Sequence, residues 1–250
     1  MDIYGKKALV TGGAVRLGNA LTLMLVEAGA EVAVHYNRSE TEACDLCDAI
    51  TNDGGSAFPL ALDLSEKDAA AKLFKELDQM GFQPDILINN ASIFHLGRLL
   101  EAEESSFHEN LDLNALIPLA LSREMAGRTS SGVIINMLDS RMTDYDKLHA
   151  PYHLSKLSLF SFTRMLSEEL APAFRVNAVA PGVVLPPIGA TPAEAEKWTD
   201  RMEKTNPLGK IGTAEEVCQA AEFLIRNDFV TGQVIFVDGG RHLKGSFYGL

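Results

Sequence analysis

The chain has 250 residues, 46% of them hydrophobic, and sets 22 Lys and Arg against 34 Asp and Glu, a formal net charge of −12. Such acidity repels phosphate backbones and argues against nucleic acid as a general partner, and no run of about 18 apolar residues is present to cross a bilayer, so no membrane partner is expected. The length allows one generous domain or two tight ones with a sizeable core, and the absence of a linker or repeat favours one domain, residues 1–250.

Met1-Asp2-Ile3-Tyr4-Gly5-Lys6-Lys7 leads almost at once into an apolar run and has no charged, apolar and cleavage regions in series, so no secretory signal is expected. Lys7-Ala8-Leu9-Val10-Thr11 reads as a buried strand. Leu17, Leu21, Met24, Leu25 and Ala28 then recur at helical spacing, with Gly29 as the stop. Val32-Ala33-Val34-His35-Tyr36 is the second strand. Ser39 can cap the helix that follows, with Glu40 and Glu42 in its first turn. Residues 57–62 are a third strand, weakened by Pro59. A helix follows Asp63-Leu64-Ser65 and ends near Leu77. Ile86-Leu87-Ile88 is the fourth strand, 104–125 a long helix, Val133-Ile134-Ile135-Asn136-Met137 the fifth strand and 151–170 a second long helix. Val176-Asn177-Ala178-Val179 and Gln233-Val234-Ile235-Phe236-Val237 are strands six and seven.

Apolar strands alternating with helices predict an α/β fold, a doubly wound parallel sheet of seven strands with helices on both faces. The least regular stretch is 182–208, which holds Pro186, Pro187, Pro192 and Pro207. It follows the carboxyl end of a strand, where such sheets bind ligands, and is expected to be a mobile lid. Cys44, Cys47 and Cys218 are few and odd in number, which fits a reducing cytoplasm. Cys44-x-x-Cys47 has no second ligand pair and reads as two residues on a helix face. His95, His108, His149 and His153 lack metal-ligand spacing, so no metal is expected.

Thr11-Gly12-Gly13-Ala14-Val15-Arg16-Leu17-Gly18 sits between the first strand and the first helix, where backbone N–H groups and a helix N-terminus favour a dinucleotide pyrophosphate. Gly12 permits the sharp turn and Gly18 close packing. Arg16 stands where a glycine is usual in T-G-x-x-x-G-x-G, and its guanidinium can reach phosphate. After strand two the chain reads His35-Tyr36-Asn37-Arg38-Ser39, with no acid until Glu40. An acid there would grip a ribose 2′-hydroxyl. Arg38 and Ser39 instead suit a 2′-phosphate, and so NADPH over NADH. Asp63 is placed either to accept from an adenine amino group or to cap the next helix.

Tyr152 and Lys156 lie four apart on a helix and share a face. An ammonium beside a phenol stabilises tyrosinate and brings its pKa towards the working range. Together with Asn89-Asn90-Ala91, Asn114, Pro181-Gly182 and Thr231-Gly232 before Val237-Asp238-Gly239-Gly240, these motifs resemble the short-chain dehydrogenase/reductase family over nearly the whole chain. The resemblance implies a Rossmann-like fold. It implies that Tyr152 transfers the substrate proton, that Lys156 holds the nicotinamide ribose, and that Asn114 anchors a relay water. Leu17, Leu64, Asn90, Ala91, Pro181 and Gly182 would line the cofactor.

That family usually places a catalytic Ser thirteen residues before the Tyr; here the residue is Asp139, with Ser140 next to it. Asp139 as a working acid, Ser140 supplied through a bulge, and a non-catalytic nucleotide-sensing protein are the three readings. The pteridine reductases make the same substitution. The chain is similar to them at Arg16, at His35-Tyr36-Asn37-Arg38-Ser39, at Asn90-Ala91-Ser92-Ile93-Phe94 and at Asp139 with Tyr152. The similarity implies that Phe94 stacks a pterin on the nicotinamide, that Ser92 and Arg16 help hold it, and that Asp139 and Tyr152 protonate a ring nitrogen. A carbonyl reductase of the 3-oxoacyl-carrier-protein type is the alternative, and it would expect Ser at 139. Family members bury the two long helices in four-helix interfaces, so a homotetramer is expected.

Overall fold

The computed structural model describes residues 1–143, 146–187 and 189–244. Seven parallel strands form one sheet: β1 (Lys7–Val10), β2 (Glu31–Tyr36), β3 (Ser56–Ala61), β4 (Ile86–Asn89), β5 (Gly132–Met137), β6 (Phe174–Pro181) and β7 (Val234–Val237), in the order β3-β2-β1-β4-β5-β6-β7. The order reverses between β1 and β4, so the loops after these two strands diverge and leave a crevice at their carboxyl ends. The expected doubly wound α/β sheet is the one observed. Pro59 is accommodated because β3 is an edge strand: it pairs only with β2, placing Pro59 opposite Val34.

Helices α1 (Arg16–Glu27), α2 (Glu40–Asn52), α3 (Ala69–Gln79), α4 (Glu104–Leu111), α5 (Ile117–Ala126), α6 (Ala150–Glu169), α7 (Pro192–Thr205) and α8 (Ala214–Arg226) connect the strands. Alternate residues of each central strand enter opposite layers. Ala8, Val10, Val32 and Val34 pack with Leu21 and Leu25 of α1 and Val217, Ala221 and Leu224 of α8. Leu9, Ala33, Leu87 and Ile134 pack on the other face with Leu73 and Phe74 of α3 and Leu121 and Met125 of α5. Burial on both faces is why these strands read as continuous apolar runs.

Local differences from the expected elements have physical causes. The helix expected over 104–125 is interrupted by a π-helical segment, Asp112–Leu116, between α4 and α5. Within the stretch expected to be irregular lies α7, fourteen residues long, started by a capping box in which the Thr191 side chain accepts from Glu194 N–H and the Glu194 carboxylate accepts from Thr191 N–H. None of its residues is buried. Ile188 of that stretch lies outside the described residues. Asp63 caps no helix, since α3 begins at Ala69; its carboxylate instead accepts from the N–H and hydroxyl of Ser65 at 2.9 and 2.7 Å. Helix α8 is an addition to the expected elements, although a second Thr–Glu capping box, Thr213 with Glu216, marks its start.

Candidate active site

The turn from β1 to α1 is tied from three sides. Gly12 has φ +61°, a conformation costly for a residue with a Cβ. A Cβ on Gly18 would lie 1.9 Å from the Gly12 carbonyl oxygen, so α1 can start this close to the loop only with glycine there. Thr11 Oγ1 accepts from the N–H groups of Asn90 and Ala91 at 2.9 and 3.0 Å, and Asn90 Nδ2 donates to the carbonyls of Thr11 and Gly12, each at 3.0 Å. Asn90 thus clamps the glycine turn to the end of β4.

His35 braces the turn from the other side. Its ring is buried. Nδ1 accepts from Gly12 N–H at 3.1 Å and Nε2 lies 3.0 Å from the Leu62 carbonyl, which places the ring proton on Nε2. Burial drives its pKa down to about 4, against the opposing pull of the Leu62 carbonyl and Asp63. His35 was expected to bind the cofactor, and it does border the crevice. Both of its ring nitrogens serve the protein, however, so it shapes the turn and offers no free polar atom to a nucleotide. Tyr36 and Ser39 are half-buried, and Asn37 and Arg38 exposed, at the rim of the same crevice.

Arg16 adopts φ +53°, the left-handed conformation natural to the glycine it replaces. Its guanidinium donates to the Pro186 carbonyl at 2.8 Å and so spans the crevice from the turn to the segment before α7.

One continuous cavity of about 2030 Å³ runs along the carboxyl edge of the sheet. Gly12, Arg38, Asp63 and Leu64 line one end; Phe94, Asp139, Tyr152, Lys156 and Trp198 line the other. Asn90, Ala91, Pro181 and Gly182 lie along it, as does Ser92. The structure thus gathers into one crevice nearly every residue singled out from the sequence. Asn114 is set differently. It is buried in the π-helical segment, where its amide bonds the Ile93 N–H and carbonyl, each at 2.9 Å, and Ser155 Oγ at 3.0 Å. The wider π turn brings its side chain onto the loop after β4.

At the chemical end, Tyr152 and Lys156 are both buried. Tyr152 donates to Asp139 Oδ2 at 3.0 Å. Lys156 donates to the Met137 carbonyl at 2.7 Å, and its ammonium lies 5.6 Å from the Tyr152 ring centre. Burial brings Lys156 down to about 8, with the Asp139 carboxylate opposing. Burial and then Asp139 push Tyr152 well above its ordinary value, while Arg141 opposes. The expectation that the neighbouring ammonium brings the phenol down is overturned in this state, because desolvation and a carboxylate both favour the neutral phenol. Ser140 is buried in a 3₁₀ turn, Ser140–Thr143, so Asp139 rather than Ser140 faces the phenol.

The Phe94 ring stacks on His149, with centres 4.0 Å apart, and meets Tyr152 edge-on at 4.6 Å. The bridge between Gly97 and His149 aligns these two segments. The sequence draws attention to His149 only as a non-ligand and gives no signal for Arg141 or Asp146. Asp146 Oδ2 accepts from both His149 and Arg141, at 2.7 Å from His149 Nδ1 and 2.9 Å from Arg141 Nη1. Among the described residues no group of three His, Cys, Asp or Glu is placed to hold a metal, no helix is long and apolar enough to cross a membrane, and Cys44, Cys47 and Cys218 are free thiols.

A family profile described as enoyl-(acyl carrier protein) reductase matches residues 13–242. The crystal structure of FolM alternative dihydrofolate reductase 1 from Brucella suis, in complex with NADP, covers 100% of both chains with a TM-score of 0.90 and 30% identity. The oxidoreductase YmfI of Bacillus subtilis is 30% identical over 95% of this chain and 99% of its own. L-xylulose reductase of Mus musculus is 32% identical over 96% and 98%.

Proposed function

The chain belongs to the short-chain dehydrogenase/reductase family of oxidoreductases, and from that premise we propose that it reduces a C=N bond of a dihydropterin or dihydrofolate-like ring with NADPH. The observation that carries this reading is the carboxylate at the usual serine position, Asp139, hydrogen-bonded to the Tyr152 hydroxyl with Phe94 edge-on to the same phenol. The full-length likeness to FolM, a protein named as a dihydrofolate reductase and crystallised with NADP, supports it.

The crevice fits such a cofactor. The glycine turn at the start of α1 is a ready-made pyrophosphate site, and it packs so closely on the loop after β4 that a Cβ at Gly12 would lie 3.2 Å from Ala91. Arg38, Asn37 and Ser39 bind the 2′-phosphate, and Asp63 and Leu64 take the adenine end. Asn90, Ala91, Pro181 and Gly182 line the cofactor's length, and Lys156 holds the nicotinamide ribose. When bound, NADPH supplies the hydride to the ring carbon. Tyr152 gives its proton to the adjacent ring nitrogen, which gains an N–H as the C=N becomes a single bond. Its raised pKa suits that direction, since the phenol reaches the substrate protonated. Asp139 orients the hydroxyl, Asn114 fixes the loop after β4 through its bonds to Ile93, solvent water refills the proton, and Phe94, Ser92 and Arg16 hold the pterin. Segment 182–208, with no residue of α7 fully buried and Trp198 facing the cavity, serves as the lid. Three free thiols suit a reducing, cytoplasmic setting.

The test is NADPH oxidation followed by absorbance, comparing dihydrobiopterin and dihydrofolate with an acetoacetyl thioester. The expected result is turnover of a pterin, reduced in an Asp139→Ser variant by about 10²-fold or more. Turnover of the thioester alone would refute the reading and favour a carbonyl reductase, the alternative that the likeness to L-xylulose reductase supports.

A further inference from the structure

Asp139 poses a physical problem. A carboxylate beside a phenol can hold the hydroxyl in place, or it can take up a proton itself and turn away. The structure divides the two oxygens of Asp139 between different partners. Oδ2 accepts from Tyr152. Oδ1 accepts from the backbone N–H of Arg141 at 2.8 Å and lies 3.6 Å from Arg141 Nε. The 3₁₀ turn that starts at Ser140 makes this possible, because it folds Arg141 back over the residue two before it. The guanidinium is itself fixed: Nη1 donates to Asp146 at 2.9 Å, and its central carbon stands 5.0 Å over the Phe94 ring.

Resting on the proposed role of Tyr152 as proton donor, we infer that Arg141 is a positioning residue that locks Asp139 as a carboxylate with Oδ2 aimed at the Tyr152 hydroxyl. Arginine suits this role because it keeps its proton at every working pH and offers several donors in a fixed plane. Among the described residues, the charged and titratable groups on the segments packed against the pair include Asp146 and His149 before α6, Tyr152 and Lys156 on α6, and Arg241 and His242 on the 3₁₀ turn, Arg241–Lys244. His149 and Asp146 bond each other as well as bracing Arg141 and Phe94, and His242 is held by Asp238. Arg141 is therefore the cation whose side chain approaches the carboxylate of Asp139 as an ion pair among the described residues. The pairing also keeps the proton on its course: with its charge balanced by Arg141, Asp139 competes less for the proton that Tyr152 delivers to the ring nitrogen.

The test uses Arg141→Gln and Arg141→Lys in the full chain, with Asp139→Asn to assign the signal. Difference infrared spectra read the ionisation of Asp139 without any substrate. The wild type is expected to show the Asp139 carboxylate, and Arg141→Gln to lose part of that signal to a protonated carboxyl band. Arg141→Lys, which keeps a cation, should restore most of the carboxylate signal. In the pterin assay, kcat of Arg141→Gln should fall by about 10- to 100-fold while KM for NADPH stays within about two-fold. An unchanged infrared signature in Arg141→Gln overturns the inference whatever happens to kcat, as does an infrared change with wild-type kcat. If the infrared change appears but the wild type turns over no pterin, the lock on Asp139 stands and the proposed function falls.

Discussion

His35 offers a stability test with a worked magnitude. Its neutral ring receives Gly12 N–H on Nδ1 and gives its own proton to Leu62. Protonation would put a second N–H against that of Gly12, two donors facing each other inside the core. Its folded pKa of about 4 lies below the ordinary 6.5, so between these values the unfolded chain binds more protons than the folded one. Stability from this group is fully present above pH 6.5 and is lost as the pH falls towards 4. Each tenfold difference in proton affinity between the folded and unfolded chain is worth about 1.4 kcal/mol, so the loss is about 3 kcal/mol. Urea unfolding of the wild type and of His35→Asn, which does not titrate, isolates the effect. Carboxylates with lowered pKa that are not coupled to His35, such as Asp146, contribute equally to both proteins. The stability difference between the two should shrink by about 3 kcal/mol from neutral pH to about pH 4. A difference that stays constant across this window would refute the account of His35 as a buried, neutral brace.

Two further outcomes follow from the same geometry. Removing the Arg38 guanidinium by Arg38→Ala should weaken NADPH binding by about 10- to 100-fold and leave NADH binding nearly unchanged, as fluorescence titration would show; equal losses for both cofactors would remove Arg38 from the 2′-phosphate site. Light scattering at micromolar concentration should give the mass of a homotetramer, since α6 leaves Leu154 and Met165 exposed at 45% and 55%, and a monomer would contradict it.

The sequence by itself determined what depends on period and spacing. Apolar runs separated by helical repeats specify the parallel sheet. Gly12 and Gly18 at their interval place the nucleotide turn, and the four-residue step from Tyr152 to Lys156 puts both on one helix face. Even Asp139 is legible, thirteen positions before Tyr152, because β5 carries it to the same edge of the sheet. Only the tertiary structure decided what arises between distant segments. The π turn that sets Asn114 on Ile93, the ring of His35 locked between Gly12 and Leu62, and the stack of Phe94 on His149 each join residues more than twenty positions apart. The fold-back of Arg141 onto Asp139 is local in sequence, yet its anchors, Asp146 and Phe94, come from other segments. The direction in which Tyr152 is displaced is hidden from the sequence for the same reason. Spacing reveals which charges are near a phenol along a helix, but desolvation and the approach of Asp139 are set by the packed whole.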